Sequence, residues 1–216
     1  MPTLLHLDSS ADLATSRSRA VTAAFAEEWL ACGTDHAVVR RDLHRDPLPH
    51  LADAALHWPP RLRPPEAAPP ADAEALQRQL IEELLGADVL LVGAPLYNYT
   101  VPSTLKAWLD HVHVPGLTAP FDQPAQPMAG RPAVVVSSRG ASYDAGSPTE
   151  GWDHGVPVLD LVLGQALGMA VEVITTSLTL AETVPALADQ RDRARQELDA
   201  AHGAAREAAR RLGTTG

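Results

Sequence analysis

Leu4-Leu5-His6-Leu7, followed by Ser9-Ser10-Ala11-Asp12-Leu13-Ala14-Thr15-Ser16-Arg17-Ser18, is the junction whose reading decides the fold. The short apolar run predicts a strand. The hydroxyl-rich stretch after it carries side-chain hydroxyls and free backbone N–H groups into the start of a helix. Such a loop can wrap a phosphate, and the positive end of the helix dipole favours the anion. Alone it is equally an ordinary helix N-cap. Two further polar loops follow apolar strands in the same way: Pro95-Leu96-Tyr97-Asn98-Tyr99 after Asp88–Ala94, and Ser138-Arg139-Gly140-Ala141 after Ala133–Ser137. The coincidence of three carries the argument.

Outward from this junction, strand-like and helix-like segments alternate, the signal for a parallel sheet with crossover helices. A helix is predicted from Ser18 to about Ala31, with Val21, Phe25 and Trp29 at intervals of four on one face. His36–Arg40 reads as a more polar edge strand, and Arg45–Ala71 as a long irregular stretch. A helix from Asp72 to about Leu85 starts on Asp72 and Glu74 and ends at Gly86. Asp88–Ala94, Pro132–Ser137 and Ala170–Thr176 are near-continuous Val/Leu/Ile runs, expected for strands covered on both faces and central or nearly so in the sheet. Further helices are predicted at Ser103–His111, about Val156–Leu167 and Ala186–Leu212, the last with Glu197, Arg206 and Glu207 exposed. The pattern is one α/β domain over 1–216, a doubly wound five-stranded parallel sheet of spatial order 2-1-3-4-5 with helices on both faces. In that order the ligand crevice lies at the carboxyl ends of strands one and three, where the three polar loops converge.

Composition narrows the function. A chain of 216 residues can bury roughly 70% of its unfolded surface. Its net charge of -10 argues against general nucleic-acid binding, which needs a basic face. The single cysteine, Cys32, has no disulfide or metal-site partner and reads as an ordinary packed thiol. No secretory leader or membrane-length apolar run is read, so membrane insertion is not expected and the cytoplasm is the expected location. Asn98-Tyr99-Thr100 is then a chance glycosylation pattern. His111-Val112-His113 is not expected to hold a metal, because residues two apart on a helix face different ways. A G-x-G-x-x-G after the first strand, a phosphate-loop G-x-x-x-x-G-K-[ST] and a G-x-S-x-G elbow are all missing. An amide between two aromatic rings, as in Tyr97-Asn98-Tyr99, suits the polar edge and flat face of an isoalloxazine.

Ser9-Ser10 with Ser16-Arg17-Ser18, Ala94-Pro95-Leu96-Tyr97-Asn98-Tyr99 with Val101-Pro102-Ser103-Thr104-Leu105-Lys106, and Ser138-Arg139-Gly140-Ala141-Ser142-Tyr143 together resemble the FMN-dependent NADH:quinone oxidoreductases called azoreductases. The P-x-Y-N segment and the S-x-L-K after it are the most specific part. The resemblance implies a flavodoxin-like fold and a homodimer whose active sites are partly built from the partner chain. It implies FMN as cofactor, NADH or NADPH as co-substrate, and a quinone or azo acceptor, with ping-pong exchange. By resemblance, Ser10 and Ser16, Arg17 and Ser18 hold the FMN phosphate. Leu96, Tyr97, Asn98 and Tyr99 lie along the isoalloxazine, and Ser138, Arg139, Gly140 and Ala141 contact its pyrimidine side and ribityl chain. Asn98, Gly140 and Tyr143 are the candidates for a part in catalysis, although the flavin carries the chemistry. Ala141 stands where the family usually has a second glycine.

The Pro-rich stretch Trp58–Pro70 is the one departure from the alternating pattern. Its prolines restrict φ before folding, so it reads as a semi-rigid lid, with Trp58, Arg61 and Arg63 offering a flat surface and positive charge to a charged substrate. Two competing readings are a flavodoxin-type electron carrier and a non-flavin hydrolase using Ser10 or Ser16. The hydrolase is disfavoured because the nearby His6 and Asp8 are expected on alternating faces of the first strand.

Overall fold

Thr3–Asp8 (β1) is hydrogen-bonded on both sides, to Ala37–Asp42 (β2) and to Val89–Pro95 (β3), in a computed structural model that describes residues 1–214. The last two positions of the expected 1–216 domain lie outside the described residues. Pro132–Ser138 (β4) and Ala170–Thr176 (β5) complete an all-parallel sheet of order β2-β1-β3-β4-β5. This is the predicted order. Because alternate strand residues face opposite sides, each strand feeds two cores. Leu5, Leu7, Leu90, Val92, Ala133 and Val135 pack with Ala71–Gly86 (α2), Ser103–Val112 (α3) and Gly155–Leu159 (α4). Leu4, Leu91, Val134 and Val136 pack instead under Arg17–Ala31 (α1) and Arg191–Gly213 (α5). Val21, Phe25 and Trp29 are fully buried there, as their spacing predicts, against the alanine stripe Ala201, Ala205, Ala208 and Ala209.

Four local expectations are corrected. Ala170–Thr176 is an edge strand, and Glu172 and Val173 are exposed, so its apolar run is not covered on both faces. The helix expected over Val156–Leu167 is α-helical for one short stretch and then forms π turns over Asp160–Ala166. Its buried Leu159, Leu163 and Leu167 recur every four residues, a spacing compatible with either winding. The last helix starts at Arg191, after a 3₁₀ segment at Pro185–Gln190.

The stretch 45–71 is the fourth, because it is irregular yet tied down. It contains 3₁₀ turns at Ala54–His57 and Pro60–Leu62, and Leu56 is fully buried. The Arg61 guanidinium donates to Gly116 O (2.9 Å) and to Asp122 Oδ1 (2.8 Å). That of Arg63 donates to Trp58 O (2.9 Å) and pairs with Glu74. Trp58 packs edge-on against Phe121, 4.9 Å between ring centres. Both arginines are therefore committed within the chain, and the segment lies along α2 and the loop after α3 rather than over this chain's own crevice.

Candidate active site

The carboxyl ends of β1, β3 and β4 enclose a crevice of about 270 Å³, lined by all three polar loops and by Thr179 and Leu180. Within the first loop, Asp12 folds the chain on itself. Its Oδ1 accepts from Ala14 N (2.9 Å) and Thr15 N (2.8 Å), and its Oδ2 from Thr15 Oγ1 (2.5 Å). The Thr15 hydroxyl, and then the two backbone N–H groups, hold the Asp12 carboxyl below its usual range. Those N–H groups are thus already used, and the anion-facing part of the loop narrows to the start of α1. There Ser16 is the N-cap, its Oγ accepting from Arg19 N (3.3 Å). The first N–H groups of a helix have no intrahelical acceptor and point at whatever anion sits before them.

Two residues expected at the phosphate also have partners within the chain. Ser18 is fully buried behind the crevice wall, with its Oγ 3.2 Å from Ser16 Oγ. Arg17 lines the crevice, but its Nη1 donates to Ser177 O (3.2 Å) and Ala194 O (3.0 Å). Burial pulls its pKa down, yet an arginine stays charged.

The second loop turns sharply. Tyr97 and Thr100 exchange backbone bonds of 2.9 and 3.1 Å, and the residues between them, Asn98 and Tyr99, sit at φ 47° and 71°. Both central residues at positive φ make this a primed two-residue turn. Asparagine tolerates that region, whereas tyrosine is strained in it. The turn sends Tyr97 back toward the first loop, where its hydroxyl accepts from Ala11 N (3.1 Å) and lies 3.2 Å from Ser10 Oγ. Asn98 lines an adjoining cavity of about 500 Å³ rather than the crevice itself. Tyr99 packs edge-on against Trp152, 5.4 Å between ring centres. Leu96 lines the crevice because Gly155 lets it approach: a Cβ at Gly155 would lie 2.9 Å from Leu96 Cδ1.

In the third loop Ser138 and Gly140 line the crevice, while the Arg139 side chain turns away from it. Arg139 donates to Ser177 Oγ (Nη2, 2.9 Å), pairs with Asp153 (3.2 Å) and covers the Tyr143 ring at 5.6 Å. Burial, then Tyr99 and Asp153, raise the Tyr143 pKa. Ala141 and Tyr143 are half-buried outside the crevice lining.

The residues that the sequence reading missed lie after β5. Ser177 is buried and joins the pieces: its carbonyl takes Arg17, its hydroxyl takes Arg139, and its N–H donates to Glu197 Oε2 (2.8 Å). Leu178 is fully buried at φ 60°. Together with Asn98 and Tyr99 it makes the set of non-glycine residues at positive φ among those described, and all flank the crevice. Backbone strain concentrated at one place is a signature of a functional site. No motif marks this segment, so only the folded chain reveals it.

His6 and Asp8 are two residues apart on a strand and therefore share a face, with His6 Nε2 3.2 Å from Asp8 Oδ2, which corrects the expectation of alternating faces. Arg40 Nη1 donates to His6 Nδ1 (3.1 Å). Among the described residues neither Ser10 nor Ser16 is bonded to this buried histidine, and the hydrolase constellation is not assembled.

Residues 2–202 match the family model described as "Flavodoxin-like fold". An "FMN-dependent NADH:quinone oxidoreductase" of Kineococcus radiotolerans is 66% identical over 212 residues, 98% of this chain and 100% of the relative. One of Streptomyces coelicolor is 46% identical over 193 residues, 88% of this chain and 85% of the relative. The chain belongs to the FMN-dependent NADH:quinone oxidoreductase family. Among solved structures similar to this member of the family, an azoreductase from Bacillus anthracis superposes with a TM-score of 0.81 at 19% identity, covering 98% of this chain and 100% of its own. A second, an FMN-dependent NADH-azoreductase from the same organism in complex with FMN, gives 0.78 at 18% identity, covering 99% and 100%. At such identities the likeness speaks to the fold.

The residues present fit FMN. Hydroxyls of Ser10, Thr15 and Ser16 at the start of α1, apolar Pro95, Leu96 and Leu180, and polar Ser138 with the Gly140 backbone all line the crevice. An anion, a flat apolar ring and a polar ring edge need that combination.

Proposed function

We propose that this chain is an FMN-dependent oxidoreductase that passes electrons from NADH or NADPH to a quinone or aromatic azo acceptor in ping-pong fashion. The observation that carries the reading is the meeting of the three loops in one crevice lined both by the Ser16-capped start of α1 and by apolar Pro95, Leu96 and Leu180. Bound FMN would supply the two-electron chemistry. Ser10, Ser16, Arg17 and the first N–H groups of α1 would hold the phosphate. Leu96 and Tyr97 would support the ring, and Ser138 with the Gly140 backbone would meet its polar edge. An acceptor binding beside Asn98 and Tyr99 finds exposed apolar surface from Tyr97, Tyr99, Trp152 and Leu180. Such surface, with Tyr97 and Leu180 lining the crevice, supports a partner chain as the missing wall. The proposed assembly is therefore a homodimer.

The visible spectrum of the purified protein tests the cofactor, and steady-state oxidation of NADH with a quinone tests the activity. A colourless protein that gains no flavin on incubation with FMN defeats the proposal. A flavoprotein that NADH reduces only slowly favours the electron-carrier reading.

A further inference from the structure

Behind the first loop, outside the crevice lining, lies a charged cluster that no motif announced. Arg19 is in the first turn of α1, its side chain 16% exposed. Its Nη1 and Nη2 grip Asp42 at the end of β2 (2.7 and 2.8 Å). Its Nη2 and Nε also donate to the carbonyl of Ser10 (2.7 and 3.2 Å). Asp8 stands 3.8 Å from the same guanidinium and takes the Thr22 hydroxyl (2.9 Å). Asp42 accepts further from the N–H groups of His44 and Arg45 (3.1 Å each), and the mostly exposed Arg45 side chain reaches it at 3.4 Å. One planar cation thus ties the edge strand, the helix start and the loop backbone together. Only a bidentate fork can do this.

We propose that Arg19, clamped by Asp42, is a positioning residue that holds the Ser10 end of the phosphate-binding loop and gives this site its preference for a phosphorylated flavin. The inference rests on the reading that the crevice binds FMN with its phosphate at the start of α1. Two effects act together. The Ser10 carbonyl is held by the Arg19 fork, which sets where the phosphate end of the loop lies. In addition, the half-buried Arg19 guanidinium faces the carboxylates of Asp8 and Asp42, with the more exposed Arg45 also reaching Asp42. Without Arg19, those charges stand close behind the loop and repel a phosphate. Both effects act on the phosphate end and leave the ring pocket of Leu96 and Leu180 unchanged.

Titration of the flavin-stripped full chain with FMN and with riboflavin, read by quenching of flavin fluorescence, separates this role from general support of the fold. Riboflavin has the same ring and lacks the phosphate. Arg19→Met is expected to raise the Kd for FMN about tenfold or more while moving that for riboflavin by less than about twofold, since a charge-assisted bond acts locally. Asp42→Asn added to Arg19→Met is expected to recover part of the FMN affinity by removing an unpaired carboxylate. Arg19→Lys, which keeps the charge without the fork, is expected to lie between wild type and Arg19→Met, and it decides the matter should Arg19→Met not fold. Equal losses for both flavins, or no loss for FMN, overturn the inference while leaving the flavin reading intact. A wild-type chain that binds both flavins equally also overturns it, whereas one that binds neither overturns the flavin reading itself.

Discussion

Asp42 is held at a pKa of about 2, chiefly by the Arg19 guanidinium and then by backbone N–H groups against the opposing effect of burial. Its folded pKa lies below its unfolded value, so the stabilisation is complete above about pH 4 and is lost as pH falls toward 2. The depression corresponds to a contribution on the order of 2 kcal/mol. Asp42→Asn should therefore flatten the fall in stability between about pH 4 and 2, checked by urea unfolding at several acid pH values. Ser16 carries two roles in one hydroxyl. Removing it in Ser16→Ala should cost about 1 kcal/mol through the lost N-cap and also weaken FMN binding. Equilibrium unfolding of the flavin-free chain isolates the first of these. The Asn98 position has a purely conformational prediction. At φ 47° glycine is at ease, whereas a β-branched side chain is strained by about 1–3 kcal/mol. Asn98→Gly should leave stability nearly unchanged and Asn98→Val should lower it, a ranking that thermal unfolding reads directly.

Among the elements, the Pro-rich stretch is where composition misleads most. Dense proline predicts extended chain, whereas Pro60–Leu62 winds into a 3₁₀ turn. The burial of Leu56 and the bonding of Arg61 and Arg63 depend on α2 and on the loop after α3, which meet the stretch only in the folded state. Arg63→Ala should accordingly lower stability by about 1.5–3 kcal/mol, the worth of a charge-assisted bond at a largely buried arginine, and leave the Kd for FMN unchanged. Chemical denaturation alongside flavin titration checks both halves, and a raised Kd without lost stability would return the segment to the crevice. The β5 edge has a similar lesson. Its Val and Ile residues look like those of a central strand, because β-branched residues suit any pleated surface. Whether a neighbour covers them is a matter of order in the sheet.

The whole molecule leaves exposed Tyr97 and Leu180, which line the crevice, and the paired rings of Tyr99 and Trp152. Light scattering at micromolar concentration should give twice the 22.9 kDa chain mass, and a mass equal to one chain removes the proposed homodimer. The doubly wound sheet, its order and the meeting of three loops were legible because they follow from local patterns. Apolar runs of strand length, helical spacing and polar loops at strand ends are written in consecutive residues, and right-handed crossovers leave few ways to assemble them. What only the tertiary structure decided is where each side chain turns once the loops are together. Arg17 and Arg139 read as ligand contacts from their loops, and in the fold their guanidiniums also bond Ser177, about forty residues or more away along the chain. Arg19 and Asp42, on elements separated by a strand connection, became one clamp for the same reason. A long charged side chain reaches several ångströms in any direction, so its partner is chosen by burial and the competition among acceptors in space, and neighbouring sequence holds no record of that choice.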